Sequence, residues 1–213
     1  MLLNKKFHFI HIPKTGGMSV DSALSDWDGR SPRNWTNRLF RKLRAPLPWR
    51  YALLKRHDSI SLANQLAIGI TATSFSIVRD PYTHAVSHYK HIQRHADRYP
   101  REVRGMSINS FLEWRLVRSG FISQELNGSR WFAKMSDQYS FLEQGGEIAV
   151  DHLISFENLE KDLADFCEVI GLLPPNLPHL NASADTVELD ERGVDLVNQI
   201  YRRDFDAFGY TRR

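Results

Sequence analysis

Short apolar runs recur along this chain, separated by longer stretches in which apolar residues return every three or four positions. Residues 7–12 form the first run, ended by Pro13. Residues 74–78 form a second, which stops at Arg79-Asp80-Pro81, and residues 152–156 form a third. Runs of this length bounded by turn residues predict buried strands. Helices are predicted between them, over 18–26, 35–43, a part of 53–66 capped by Asp58 or Ser59, 81–98, 108–119 with Gly120 as its stop, 157–170 closed by Gly171, and 187–208. The spacing is plainest at Tyr82, Ala85, Val86, Tyr89 and Ile92. It is equally plain at Leu159, Leu163, Phe166, Cys167 and Ile170, and at Val194, Val197, Tyr201 and Phe205. Asp80 can cap the 81–98 helix, with Pro81 at its first position. Strands alternating with helices predict an α/β fold, a central parallel sheet covered by helices on both faces.

Ligands in such sheets bind at the carboxyl ends of the strands. Lys14 and Arg79 both follow strands, so sequence order alone puts two cations at one edge. Pro13-Lys14-Thr15-Gly16-Gly17-Met18-Ser19 joins the first strand to the first helix. Glycines let the backbone approach an anion, the helix start offers unpaired N–H groups, and the lysine adds a full charge. The loop is a phosphate cradle. Its lysine precedes its glycines, and the ATP-binding pattern G-x-x-x-x-G-K-[ST] is absent. Arg79 supplies a forked cation suited to phosphate. Ser87, six residues past Pro81, lies nearly two helical turns along and can share an anion lying on that helix.

At 213 residues the chain suits one domain over 1–213, and 42% hydrophobic with 25% charged residues is ordinary globular composition. The net charge of +3 hides clustering. Arg38, Arg41, Lys42, Arg44, Arg50, Lys55 and Arg56 occur with no acid among them, and Arg94, Arg98, Arg101 and Arg104 form a second group. Such patches favour anionic partners. The single cysteine, Cys167, excludes an internal disulfide, fits a reducing compartment and falls at a core position. No segment approaches the ~20 apolar residues of a membrane span, and the N-terminal residues lack the features of a signal peptide. The chain is expected to be soluble, cytoplasmic and complete.

The two cationic motifs, in this order, resemble the sulfotransferase superfamily, closest to the family 2 branch that includes carbohydrate sulfotransferases. In that superfamily the strand–loop–helix, which is P-loop-NTPase-like, binds the 5′-phosphosulfate end of 3′-phosphoadenosine 5′-phosphosulfate. Ser76-Ile77-Val78-Arg79-Asp80-Pro81, continuing to Ser87-His88-Tyr89, is similar to the family's 3′-phosphate signature, with a serine eight residues after the arginine. His152-Leu153-Ile154-Ser155-Phe156-Glu157-Asn158-Leu159 resembles its late strand–helix unit. Leu177-Pro178-His179-Leu180-Asn181-Ala182-Ser183 resembles the loop that closes over the nucleotide, and the stretch from Ile200 to Tyr210 has the family's look. The resemblance implies nucleotide contacts from Lys14, Thr15, Gly16, Gly17, Met18, Ser19, Arg79, Ser87, Asn181 and Ser183. It implies 3′-phosphoadenosine 5′-phosphate as product, no metal, a hydroxyl acceptor expected on a glycan, and no nucleic-acid partner. Met18 departs from the small hydroxyl residue usual there, and His84 stands where the family often has another arginine.

Sulfuryl transfer needs an in-line nucleophile and stabilisation of the charge developing on the leaving oxygen. Lys14 is assigned that stabilisation, with the neighbouring amides and the Thr15 and Ser19 hydroxyls on the 5′-phosphate. The branch commonly takes its general base from a histidine between the two motifs, which implies His57 in Lys55-Arg56-His57-Asp58. His11, Glu125 and Asp137 are alternatives. His84, His88, His91 and His95 form a row at spacings of four, three and four. A metal site there is conceivable, but no carboxylate motif accompanies the row. Trp35 and Trp49 in the basic segment can stack on an anionic glycan. Two other readings stay open: an ATP- and magnesium-dependent small-molecule kinase of related fold, and a non-catalytic nucleotide- or nucleic-acid-binding module.

Overall fold

The structure is a computed structural model that describes residues 1–30, 34–119, 126–178 and 187–213. Strands β1 (Leu2–Leu3) and β2 (Phe7–Ile10) precede helices α1 (Gly17–Leu24) and α2 (Trp35–Lys42). Next come β3 (Leu47–Pro48), α3 (Ile60–Leu66), β4 (Ala67–Ile68), β5 (Thr73–Val78), α4 (Pro81–Arg94) and α5 (Ile108–Ser119). The chain continues through α6 (Arg130–Met135), α7 (Tyr139–Leu142), β6 (Glu143–Gln144), β7 (Glu147–Ile148) and β8 (His152–Ser155). It ends in α8 (Leu159–Val169), α9 (Glu191–Ile200) and α10 (Arg202–Phe208).

The central sheet runs β1-β2-β5-β8, with the last three strands parallel and β1 antiparallel at the edge. Alternation along the strands splits the core. Phe7, Phe9, Phe75, Ile77 and Ile154 pack against Val20, Leu24, Leu163 and Phe166 from α1 and α8. Ile10 and Val78 pack on the opposite side with Leu62, Leu66 and Phe141. A third cluster joins α4, α5, α9 and α10 through Tyr82, Phe111, Val197, Tyr201 and Phe205. The predicted α/β fold with a helix-covered parallel sheet is the observed one. Among the described residues no helix is long and apolar enough to cross a membrane.

Several boundaries differ from the sequence reading, each for a local reason. β2 ends at Ile10, which pairs with Ser76, and His11 leaves the ladder. Ser59, not Asp58, caps α3, because its hydroxyl accepts from the Leu62 amide while Asp58 is engaged elsewhere. A single turn of 3-10 helix, Phe156–Asn158, separates β8 from α8. α4 stops at Arg94, and another such turn follows over Ala96–Arg98. The 187–208 segment is two helices broken at Tyr201, whose fully buried ring is anchored on neighbours beyond its own helix. Gly171 closes its helix with φ 64°, and Gly120 lies outside the described residues.

Candidate active site

The carboxyl ends of β2, β5 and β8 lie side by side, so the segments leaving Ile10, Val78 and Ser155 share one edge of the sheet. Lys14 in the first of these has φ 70°, the left-handed region that strains any residue with a Cβ. Gly16 caps α1 at φ 82° without a side-chain hydrogen bond, leaving first-turn amides available to an anion. Both glycines are also required from behind the loop. A Cβ on Gly16 would lie 2.8 Å from the Phe156 ring, and one on Gly17 would lie 2.5 Å from the His11 ring. Gly17→Ala is therefore expected to push His11 aside and to destabilise the protein by about 1–3 kcal/mol, read as a lower thermal midpoint with weakened nucleotide binding.

The Arg79 guanidinium lies 4.1 Å over the Phe156 ring. Its Nη1 donates to the Lys14 carbonyl at 3.2 Å and its Nε to Thr83 Oγ1 at 3.0 Å, so the strand-end arginine is tied to the cradle itself. The Gln138 side chain fixes its backbone, accepting from the Arg79 amide and donating to the Arg79 carbonyl, both at 2.8 Å. Burial lowers the Lys14 pKa, and the charges of Arg79 and Arg94 add to the effect. Lys14 and Arg79, both lining one cavity, present a positive field to an anion there.

His57 donates from Nδ1 to the His11 carbonyl at 2.9 Å. A carbonyl only accepts, so the proton sits on Nδ1 and Nε2 keeps its lone pair. Burial, with His11 adding to it, takes the His57 pKa down to about 3, and the ring is neutral near pH 7. Asp58 does not orient this ring. Its carboxylate is held by Arg41 at 2.6 and 2.8 Å and by the Lys55 amide at 2.7 Å. His11 pairs with Asp21 at 2.8 Å and backs Gly17. Asp137 is buried in an ion pair with Arg203, away from the cavity residues. Glu125 lies outside the described residues, as do Asn181 and Ser183.

One cavity of about 990 Å³ is lined by Lys14, Gly16, Gly17, Met18, Ser19, His57, Arg79 and Ser87. Thr15 does not join them. It is fully buried and its hydroxyl donates to the Ile12 carbonyl at 3.0 Å, so the hydroxyl is not offered to an anion. Met18 is 44% exposed on the rim, with Sδ 3.3 Å from Arg56 Nη1. Arg98, Arg130 and Lys134 line another part of the same cavity, where the Lys134 ammonium lies 3.5 Å from the Tyr99 ring centroid. Trp35 and Trp49 do not line it.

The histidine row divides by position. His84 is buried, Nε2 donating to the Pro13 carbonyl at 2.8 Å while Nδ1 accepts from the Tyr201 hydroxyl at 2.9 Å, and Arg115 donates to that same hydroxyl. His84 thus props the cradle from behind. His88 and His91 line the cavity. Among the described residues no group of histidine, cysteine or carboxylate side chains suits a metal ion. Gln138 and Arg115 carry no local motif, and the contacts that link Phe156, Tyr201 and His84 to the cradle are visible only in three dimensions.

No curated protein sequence matches this chain. Among solved structures it is similar to a crystal structure of a sulfotransferase from Alicyclobacillus acidocaldarius, at 14% identity and a TM-score of 0.47, over 97% of this chain and 94% of that one. The model of the sulfotransferase family matches residues 3–211. Only two residues at each end fall outside that match, and the chain belongs to the sulfotransferase family.

Proposed function

We propose that this protein transfers a sulfuryl group from 3′-phosphoadenosine 5′-phosphosulfate to an acceptor hydroxyl, on a carbohydrate, by in-line displacement. The observation that carries the reading is the convergence of Lys14, His57, Arg79 and Ser87 on one cavity. The Gly16–Gly17 amides, the Thr15 backbone and Ser19 hold the 5′-phosphate, and Arg79 with Ser87 holds the 3′-phosphate. The acceptor oxygen forms a bond to sulfur as the bond from sulfur to the bridging oxygen breaks. The acceptor proton passes to His57 Nε2, and Lys14 meets the charge that develops on the leaving oxygen. Arg98, Arg130 and Lys134 suit an acceptor that itself carries negative charge.

Thermal shifts with 3′-phosphoadenosine 5′-phosphate, ATP–magnesium and adenosine 5′-phosphate test the donor. Selective stabilisation by the first is expected, because a ligand that binds the native state raises its midpoint. Arg79→Ala is expected to erase the preference for the 3′-phosphate, a loss of about 2–5 kcal/mol when one partner of a buried charged pair is removed. Equal or better stabilisation by ATP–magnesium would favour the kinase reading and overturn this one.

A further inference from the structure

One side of helix α2 faces the protein. A capping box closes its start, Asn34 Oδ1 accepting from the Asn37 amide at 2.9 Å and Asn37 Oδ1 accepting from the Asn34 amide at 3.2 Å, and Asn37 is buried. Arg41 clasps Asp58 through two nitrogens. The outer side carries Trp35, Leu39 and Leu43, which are 75%, 44% and 66% exposed. A spacing of four residues lines them up as one stripe. Arg38 and Lys42, both exposed, run beside it. The same two side chains, with Arg44 and Lys55, line a second cavity of about 640 Å³ floored by Leu62 and Leu66, and no acidic residue lines it.

A contiguous apolar stripe in water is unfavourable, and exposed cations beside it favour an anionic partner. An interface with anionic headgroups above hydrocarbon relieves both. We infer that α2 is an interfacial helix that seats this protein on an anionic lipid surface. Trp35, Leu39 and Leu43 enter the boundary between headgroups and acyl chains. Arg38 and Lys42 pair with lipid phosphates, and the adjoining basic cavity receives a headgroup. A soluble polyanion would satisfy the cations but leave the stripe in water, which decides between the two. The inference is independent of the sulfuryl-transfer reading, since nothing in it involves the donor.

Flotation with phosphatidylcholine vesicles, with and without about 30% phosphatidylglycerol, tests it directly. The protein is expected to float with the anionic vesicles and to bind neutral ones at least roughly tenfold more weakly. Combining Trp35→Ser, Leu39→Ser and Leu43→Ser is expected to lower vesicle binding roughly tenfold, as is combining Arg38→Glu with Lys42→Glu. An unchanged thermal midpoint and circular dichroism identify variants that remain folded, and the charge variant serves if the stripe variant does not. Absence of flotation, or equal flotation by wild type and folded variants, would overturn the inference. So would binding to dextran sulfate that survives the stripe substitutions while vesicles are ignored, which would assign the surface to a soluble polyanion.

Discussion

His57→Ala is expected to lower kcat by about 10²–10⁴-fold while 3′-phosphoadenosine 5′-phosphate binds nearly as well as to the wild type. The asymmetry follows from geometry. His57 Nδ1 is committed to the His11 carbonyl, which leaves Nε2 to take a proton, whereas the proposed nucleotide contacts, the cradle and Arg79, do not involve His57. The pH dependence follows from the sign of the shift. With its pKa at about 3, the free protein's His57 is protonated only in strong acid. Because kcat/KM reports the free enzyme, it is expected to show no falling limb with a midpoint near 6.5 as pH drops from 8 to 5. Near-normal turnover in a folded His57→Ala protein, titrated with product nucleotide, would remove His57 from the base role.

Lys14→Gly is expected to cost about 10²–10³-fold in kcat without loss of stability. Lysine at φ 70° carries the penalty of a Cβ in left-handed backbone, about 1–2 kcal/mol. Glycine removes that penalty and brings an unfolded-state entropy cost of about 0.5–1 kcal/mol. The substitution also removes a cation crowded by Arg79 and Arg94. Lys14→Ala keeps the backbone penalty, so its thermal midpoint is expected to lie below that of Lys14→Gly while both are catalytically impaired. Turnover retained by Lys14→Gly, or a midpoint below that of Lys14→Ala, would contradict this account. On the proposed mechanism, the strain is a cost of placing the ammonium at that position.

Helices α4 and α8 are legible in the sequence, apart from their ends, because each buries one continuous face and apolar spacing records a face directly. Two-residue strands such as Leu47–Pro48 contain a single period and leave no comparable signal. The break at Tyr201 is hidden for the opposite reason: Val194, Val197, Tyr201 and Phe205 keep helical spacing straight through it. In the site, Lys14 and Arg79 could be read from their positions after strands, since a parallel sheet fixes where such residues gather. Phe156 beneath Gly16 and His11 behind Gly17 could not, because those contacts are set by packing between separate segments. Thr15 shows the limit within the motif itself. Its residue type suits an anion, but its rotamer sends the hydroxyl to Ile12.

The chain Arg115–Tyr201–His84–Pro13 also has a kinetic meaning. The hydrogen bond that props the cradle spans 71 residues, and the one that orients His84 spans 117. The loop at residues 13–19 joins β2 to α1 near the start of the chain, yet it is completed only when the last helices have docked. Contacts of such sequence separation form slowly, because loop-closure entropy is lost before they contribute. The cradle is therefore encoded early in the polypeptide and finished late in its folding.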